Sequence, residues 1–191
     1  MGTAPSGQQT AELDNDLWRF ACTFYARDGV APACLALQET LNVDVNILLF
    51  AIYARLARGI ALDAADLGAV DALVRDWRHE VVRPLRALRT RLKAGPVPAP
   101  SAATDHLRNR IKAAELEAEQ IELAQLSRWL DRQPPRPAAS TDAASVPLLV
   151  ARYLGAPVDG ALPREADDAL AALARAVREA AEESLKTERE H

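Results

Sequence analysis

Three groups of polar side chains interrupt an otherwise apolar, helix-forming chain, and each group suits a different chemistry. Trp18, Tyr25, Gln38, Asp44 and Asn46 stand among the apolar residues of the N-terminal third. Hydrogen-bonding groups set in apolar walls are what orients a small ligand in a pocket. Arg83, Arg86 and Arg89 recur every three residues, a row of guanidinium forks suited to phosphate, carboxylate or a nucleic-acid backbone. Glu115, Glu119 and Glu122 recur at four and three, which places three carboxylates on one face of a helix as candidate ligands of a divalent metal.

Each group also has a purely structural reading, and that reading is preferred for all three. Asp44 stands where an N-cap is needed, Trp18 and Tyr25 can pack with one polar tip in water, and Gln38 can bond a neighbouring backbone group. Arg78 and Arg89 flank one apolar stripe and the three glutamates flank another, so a seam of partly exposed ion pairs follows, each worth roughly 0–1 kcal/mol. The metal reading lacks the Glu-x-x-His pattern of helical di-metal bundles, because the histidines are His79, His106 and His191. No metal or cofactor is therefore expected. No GxSxG, Walker loop, GxGxxG or HExxH occurs, and Cys22 and Cys34 have no histidine near them in sequence. No catalytic residue is assigned, and an enzyme is the less favoured class.

The composition narrows the classes further. A chain of 191 residues that is 49% hydrophobic can bury a core without the help of disulfides or metals. The two cysteines lack CxxC spacing and follow no secretory signal, which points to a reducing cytoplasm. A net charge of -4 and a pI near 5.5 argue against a nucleic-acid binder, which usually carries a basic field. The apolar run Ile47–Ala54 is far shorter than the roughly 20 residues a helix needs to cross a bilayer, so no membrane insertion is expected. The start Met1-Gly2-Thr3-Ala4-Pro5-Ser6 fits a myristoylation pattern, but the Ala/Arg-rich composition suggests a bacterium, where that modification has no enzyme.

The elements that must position these residues are helices. A 3.6-residue apolar period recurs from Leu13 onward with hardly any alternation of period two, so the fold class is all-α. Asp14 or Asn15 caps a first helix that reaches about Arg27 and stops at Asp28-Gly29. Val30, Cys34, Leu37 and Leu41 mark one stripe of a second. In "NVDVNILLF", Asp44 caps a third helix whose residues Ile47 to Ala54 are apolar on every side, which makes it the central helix. A fourth runs from Asp63 or Asp66 to Gly95, with a kink expected near residues 80 to 84 because Pro84 removes a backbone hydrogen bond. Thr104 or Asp105 caps a fifth that pairs with the fourth as a long antiparallel hairpin.

The expected organisation is a disordered N-terminus at 1–12, a helical bundle at 13–132, a Pro/Ala-rich linker at 133–145 and a loosely docked helical appendage at 146–191. The blocks "LWRFACTFYARDGVAPACLALQETLNVDVNILLF" (Leu17–Phe50), "WRHEVVRPLRALRTRLK" (Trp77–Lys93) and "LRNRIKAAELEAEQIE" (Leu107–Glu122) occur in order. In that combination the chain resembles a family of small uncharacterised bacterial proteins over roughly residues 13 to 130. The family is a domain of unknown function, so the resemblance implies no activity, cofactor or site residue.

The reading preferred from sequence is a non-enzymatic interaction or regulatory module, docking a protein partner or a second copy through the charged hairpin or the Ala-rich tail. The runner-up is a small-molecule or anion-binding protein using the polar set around Asn46 or the arginines Arg83 and Arg86.

Overall fold

The computed structural model describes residues 13–134, 142–155 and 161–189. The expected N-terminal lead-in and most of the expected linker lie outside the described residues. Within them, all regular structure is helical.

Helix α1, Asp16–Tyr25, starts where the Asn15 side chain accepts the Trp18 N–H at 3.0 Å, so Asn15 and not Asp14 is the cap. Gly29 then turns the chain in the left-handed region at φ 78°, where a residue with a Cβ would be strained. Helix α2, Val30–Leu41, ends at Asn42, which also takes a left-handed conformation at φ 55°. Asp44 caps α3, Val45–Arg58, by accepting the Ile47 N–H at 3.0 Å.

Every residue from Ile47 to Ala54 is buried, as an all-apolar helix requires. Helices α1, α2, α6, α7 and α8 surround α3 (the ranges of the last three follow). Each large side chain buried there contributes about 1.5–3 kcal/mol, which makes α3 the main hydrophobic anchor of the fold.

Helix α4, Ala64–Trp77, opens with a reciprocal capping box between Asp63 and Asp66. It passes through a π-helical turn, Arg78–Val82, into α5, Arg83–Arg91. This turn is the form taken by the irregularity expected near Pro84. The Arg83 N–H bonds to the Arg78 carbonyl five residues back, and Pro84, which has no N–H to offer, sits in the first turn of α5. Arg78 and Val82, four residues apart, both face inward across the turn.

Helix α6, Ala102–Asp131, is capped by Ser101 rather than by Thr104 or Asp105. Thr104 is the third helical residue and its hydroxyl oxygen accepts the Ser101 N–H in return, so the pair closes a capping box. The α4–α5 run and α6 form the long antiparallel hairpin, tied by a 3.0 Å bond from Trp77 Nε1 to the Ala118 carbonyl. Phe50 of α3 meets Trp129 of α6 edge to face, with ring centroids 6.1 Å apart.

After a 3₁₀ turn at Ala143–Ser145 come α7, Val146–Leu154, and α8, Arg164–Arg189. The C-terminal helices are not a loose appendage. Helix α8 lies along α2, α7 packs on α3 and α4, and Val150, Leu173 and Val177 are fully buried in the same core as α3. The apolar stripe of α2 needs a cover that α1 and α3 do not complete, and α8 supplies it.

Candidate functional site

A cavity of about 390 Å³ lies between α1, the α2–α3 junction, the π turn with α5, and the middle of α6. That is within the range of small-molecule sites, roughly 300–1,000 Å³. Trp18, Tyr25, Gln38, Asp44, Asn46, Arg83 and Arg86 all line it, so the polar set of the N-terminal third and the arginine row meet in one place.

The outer part of the cavity holds a closed ion-pair lattice. Arg86 Nε donates to Glu115 Oε1 at 3.0 Å and Arg86 Nη2 to Glu119 Oε1 at 2.5 Å. Arg89 grips Glu115 with two donors, Nε on Oε2 and Nη2 on Oε1. Burial alone would raise the Glu115 carboxyl, but the hydrogen bonds from Arg89 and Arg86 outweigh it and hold the group below its ordinary value. The seam expected from sequence is therefore present at this end, although Glu115 is only 5% exposed and the pairs are more buried than expected. With Glu115 and Glu119 engaged by guanidinium groups, the three glutamates do not form a metal cage. Among the described residues no cluster of His, Cys, Asp or Glu is arranged to hold a metal.

The inner part is built differently. Arg78 does not join the glutamate seam but donates Nη1 to Asp44 Oδ2 at 3.1 Å and Nη2 to Asp71 Oδ1 at 2.7 Å. Asp44 thereby caps α3 with one oxygen and binds Arg78 with the other, so the cap and cavity roles, alternatives in the sequence, belong to one side chain. Burial works against the charge of Arg78, yet Asp44 and Asp71 raise its pKa above the ordinary value.

Next to this pair stands Glu122, 0% exposed, with neither carboxyl oxygen in a well-formed hydrogen bond and only the Asn46 side chain acting on it as a donor. Burial, then the negative charge of Asp44, push it up to about 8, and the Asn46 side chain and Arg78 offset this only in part. Glu119, one turn away, is also raised, chiefly by burial, with Arg86 opposing and Glu115 and Asp44 adding to it.

At the solvent-facing rim, Arg83 Nη2 donates to Asn42 Oδ1 at 3.2 Å and Lys112 is exposed. Cys22 is exposed and also borders the cavity. Cys34 is fully buried and its thiol is pushed up to about 12 by burial, which makes it inert. Sequence reasoning placed Glu122 in the seam with Glu115, read Cys22 as an ordinary core residue although it is exposed, and gave Lys112 no role. The one signal in the chain was the position of Glu122 between Ile121 and Leu123, inside the broadening apolar face of α6.

An all-helical protein with a cavity open to solvent, in which polar groups are set among apolar walls, is the class these features define. The model of the family described as "Protein of unknown function (DUF2390)" matches residues 16–126, and the chain belongs to that family. No curated protein and no solved structure matches the chain. The matched span contains every residue of the cavity and stops before the C-terminal helices that complete the core. Among the described residues no helix is long and apolar enough to cross a membrane.

Proposed function

We propose that this protein binds a small molecule in the cavity beside Asp44, Asn46 and Glu122. The observation that carries the reading is Glu122, a carboxyl with no exposure and no well-formed hydrogen bond, bordering a ligand-sized space. A buried polar group left unsatisfied costs roughly 1–3 kcal/mol, more when charged, and a chain has little reason to keep one unless a ligand completes it. Apolar walls from Trp18, Leu49 and Leu123 supply the area that would drive binding. The surfaces that favoured an interaction module are largely consumed inside the molecule: Arg86 and Arg89 hold Glu115 and Glu119, and α8 covers α2.

Cys22 supplies the assay. Its alkylation by iodoacetamide reports access to the cavity, because Cys34 is buried. A panel of small cations, zwitterions, anions and neutral aromatics is expected to contain a compound that both slows Cys22 alkylation and raises Tm. Neither effect should survive in Gln38→Trp, which fills the cavity from a half-buried position. Alkylation unchanged by every member of the panel would remove the proposal.

A further inference from the structure

We infer that the cavity takes a bipolar small molecule, whose ammonium group docks against Glu122 and whose acidic group meets Arg83 or Lys112 at the rim. This rests on the small-molecule reading above and adds the chemistry of the ligand.

The charge pattern carries the inference. At the outer part, two guanidinium groups, Arg86 and Arg89, face two carboxylates, Glu115 and Glu119, and the lattice is balanced. At the inner end, Arg78 is shared between Asp44 and Asp71, and Glu122 has the neutral Asn46 side chain beside it but no cation in an ion pair. Arg75 relieves only Asp71, from an exposed position. With Glu122 as carboxylate, the inner end is therefore short of one positive charge, which a proton supplies until a ligand does.

The rim has the opposite deficit. Arg83 bonds to the Asn42 amide and Lys112 points to solvent, and among the described residues neither has a carboxylate within ion-pairing distance. An ammonium inside would satisfy the orphan oxygens of Glu122 and relieve its repulsion with Asp44 and Glu119. An acid outside would find two cations with no competing carboxylate, Arg83 having only the neutral Asn42 amide and the His79 ring against it. A plain anion would have to pass the rim and then face Glu122. Ten residues of α6 separate Glu122 from Lys112, about 15 Å along the axis, so the spacing between the two ligand charges is itself a readout.

Binding of an ammonium requires Glu122 as carboxylate. The groups that face it are Asp44 and Asn46 at the start of α3, Arg78 of the π turn and Glu119 of its own helix. Since its carboxyl is pushed up to about 8, roughly nine-tenths of it is protonated at pH 7, and docking releases close to one proton.

The probes are a series of ω-aminocarboxylates from 4-aminobutyrate to 8-aminooctanoate, with hexylamine and hexanoate as one-ended controls. They are titrated calorimetrically in two buffers of different ionisation enthalpy. The best aminocarboxylate is expected to bind at least about tenfold tighter than either control, one charge-assisted contact at each end. Glu122→Gln should reduce it to the level of hexanoate and abolish proton release, while Arg83→Gln or Lys112→Gln should reduce it to the level of hexylamine with proton release intact. Binding of hexanoate equal to that of the aminocarboxylates, or an unaltered titration in Glu122→Gln, overturns the ligand class. If other compounds still protect Cys22 in that case, the cavity reading stands without it. If nothing protects Cys22, both fall together.

Discussion

Glu115 and Glu122 lie two turns apart on the same face of α6, one in the outer part of the cavity and one at its inner end, and both are nearly inaccessible to water. Glu115 accepts hydrogen bonds from two arginines and is held below its ordinary pKa, whereas Glu122 accepts none and is pushed up to about 8. Burial acts on both in the same direction, so the difference lies in the donors that the opposite helix presents. Arg78 continues the buried stripe of Val70 and Val74 at four-residue spacing and is taken by Asp44 and Asp71, and the next arginines to reach α6 are Arg86 and Arg89, near Glu115. A fully paired buried carboxylate is a structural element. An unpaired one beside a cavity is an invitation to a ligand.

The largest test of this contrast is the pH dependence of stability. A carboxyl whose folded pKa is raised binds more protons in the folded than in the unfolded state, so its contribution is lost as pH rises from the unfolded toward the folded value. For Glu122 the gap between 4.5 and about 8 corresponds to roughly 5 kcal/mol lost across that window. Urea denaturation at intervals from pH 5 to 9 should show the wild type falling and Glu122→Gln nearly flat. Parallel curves for the two proteins would mean that Glu122 is paired in solution. Glu115 has the opposite sign: its pKa is lowered, so its contribution is present above the unfolded value and lost as pH falls toward the folded one.

Next in size is Glu115→Ala, which strips Arg86 and Arg89 of their shared acceptor. A loss of about 2–3 kcal/mol at pH 7 is expected, moderated because both arginines retain some contact with water. A denaturation midpoint equal to wild type would make the outer lattice as dispensable as an ordinary surface pair. Asp44→Asn is smaller, because asparagine caps helices as well as aspartate does. It should cost about 1–2 kcal/mol, because the buried Arg78 loses one of two partners and keeps Asp71. It should also shorten the alkaline decline caused by Glu122, since it removes the neighbouring charge that helps raise that group. The smallest effect belongs to Asp131→Asn, which breaks the exposed pair with Arg58 and should change stability by no more than about 0.5 kcal/mol.

The helices and most of their ends were legible in the chain because each rests on local chemistry. Asp44 caps α3 in the structure because its short carboxylate reaches an N–H three residues on, and Gly59 ends α3 because it tolerates positive φ. The cap of α6 was misread by one turn: the residues nominated, Thr104 and Asp105, follow the true cap, and Ser101 stands within a proline-rich stretch that resembles a plain connector. The polar residues of the cavity were recognisable one by one. Their convergence was not, since Gln38, Arg86 and Glu122 come from three helices.

Local sequence determined that this chain is helical, where its helices are capped, and that α3 must be enclosed, because hydrogen-bond reach, backbone sterics and apolar periodicity act over a few residues. Only the tertiary structure decided that α8 closes over α2, that Arg78 goes to two aspartates and not to the glutamates of α6, and that Glu122 is left without a cation in an ion pair. Those outcomes depend on which faces meet when helices far apart in the chain pack together.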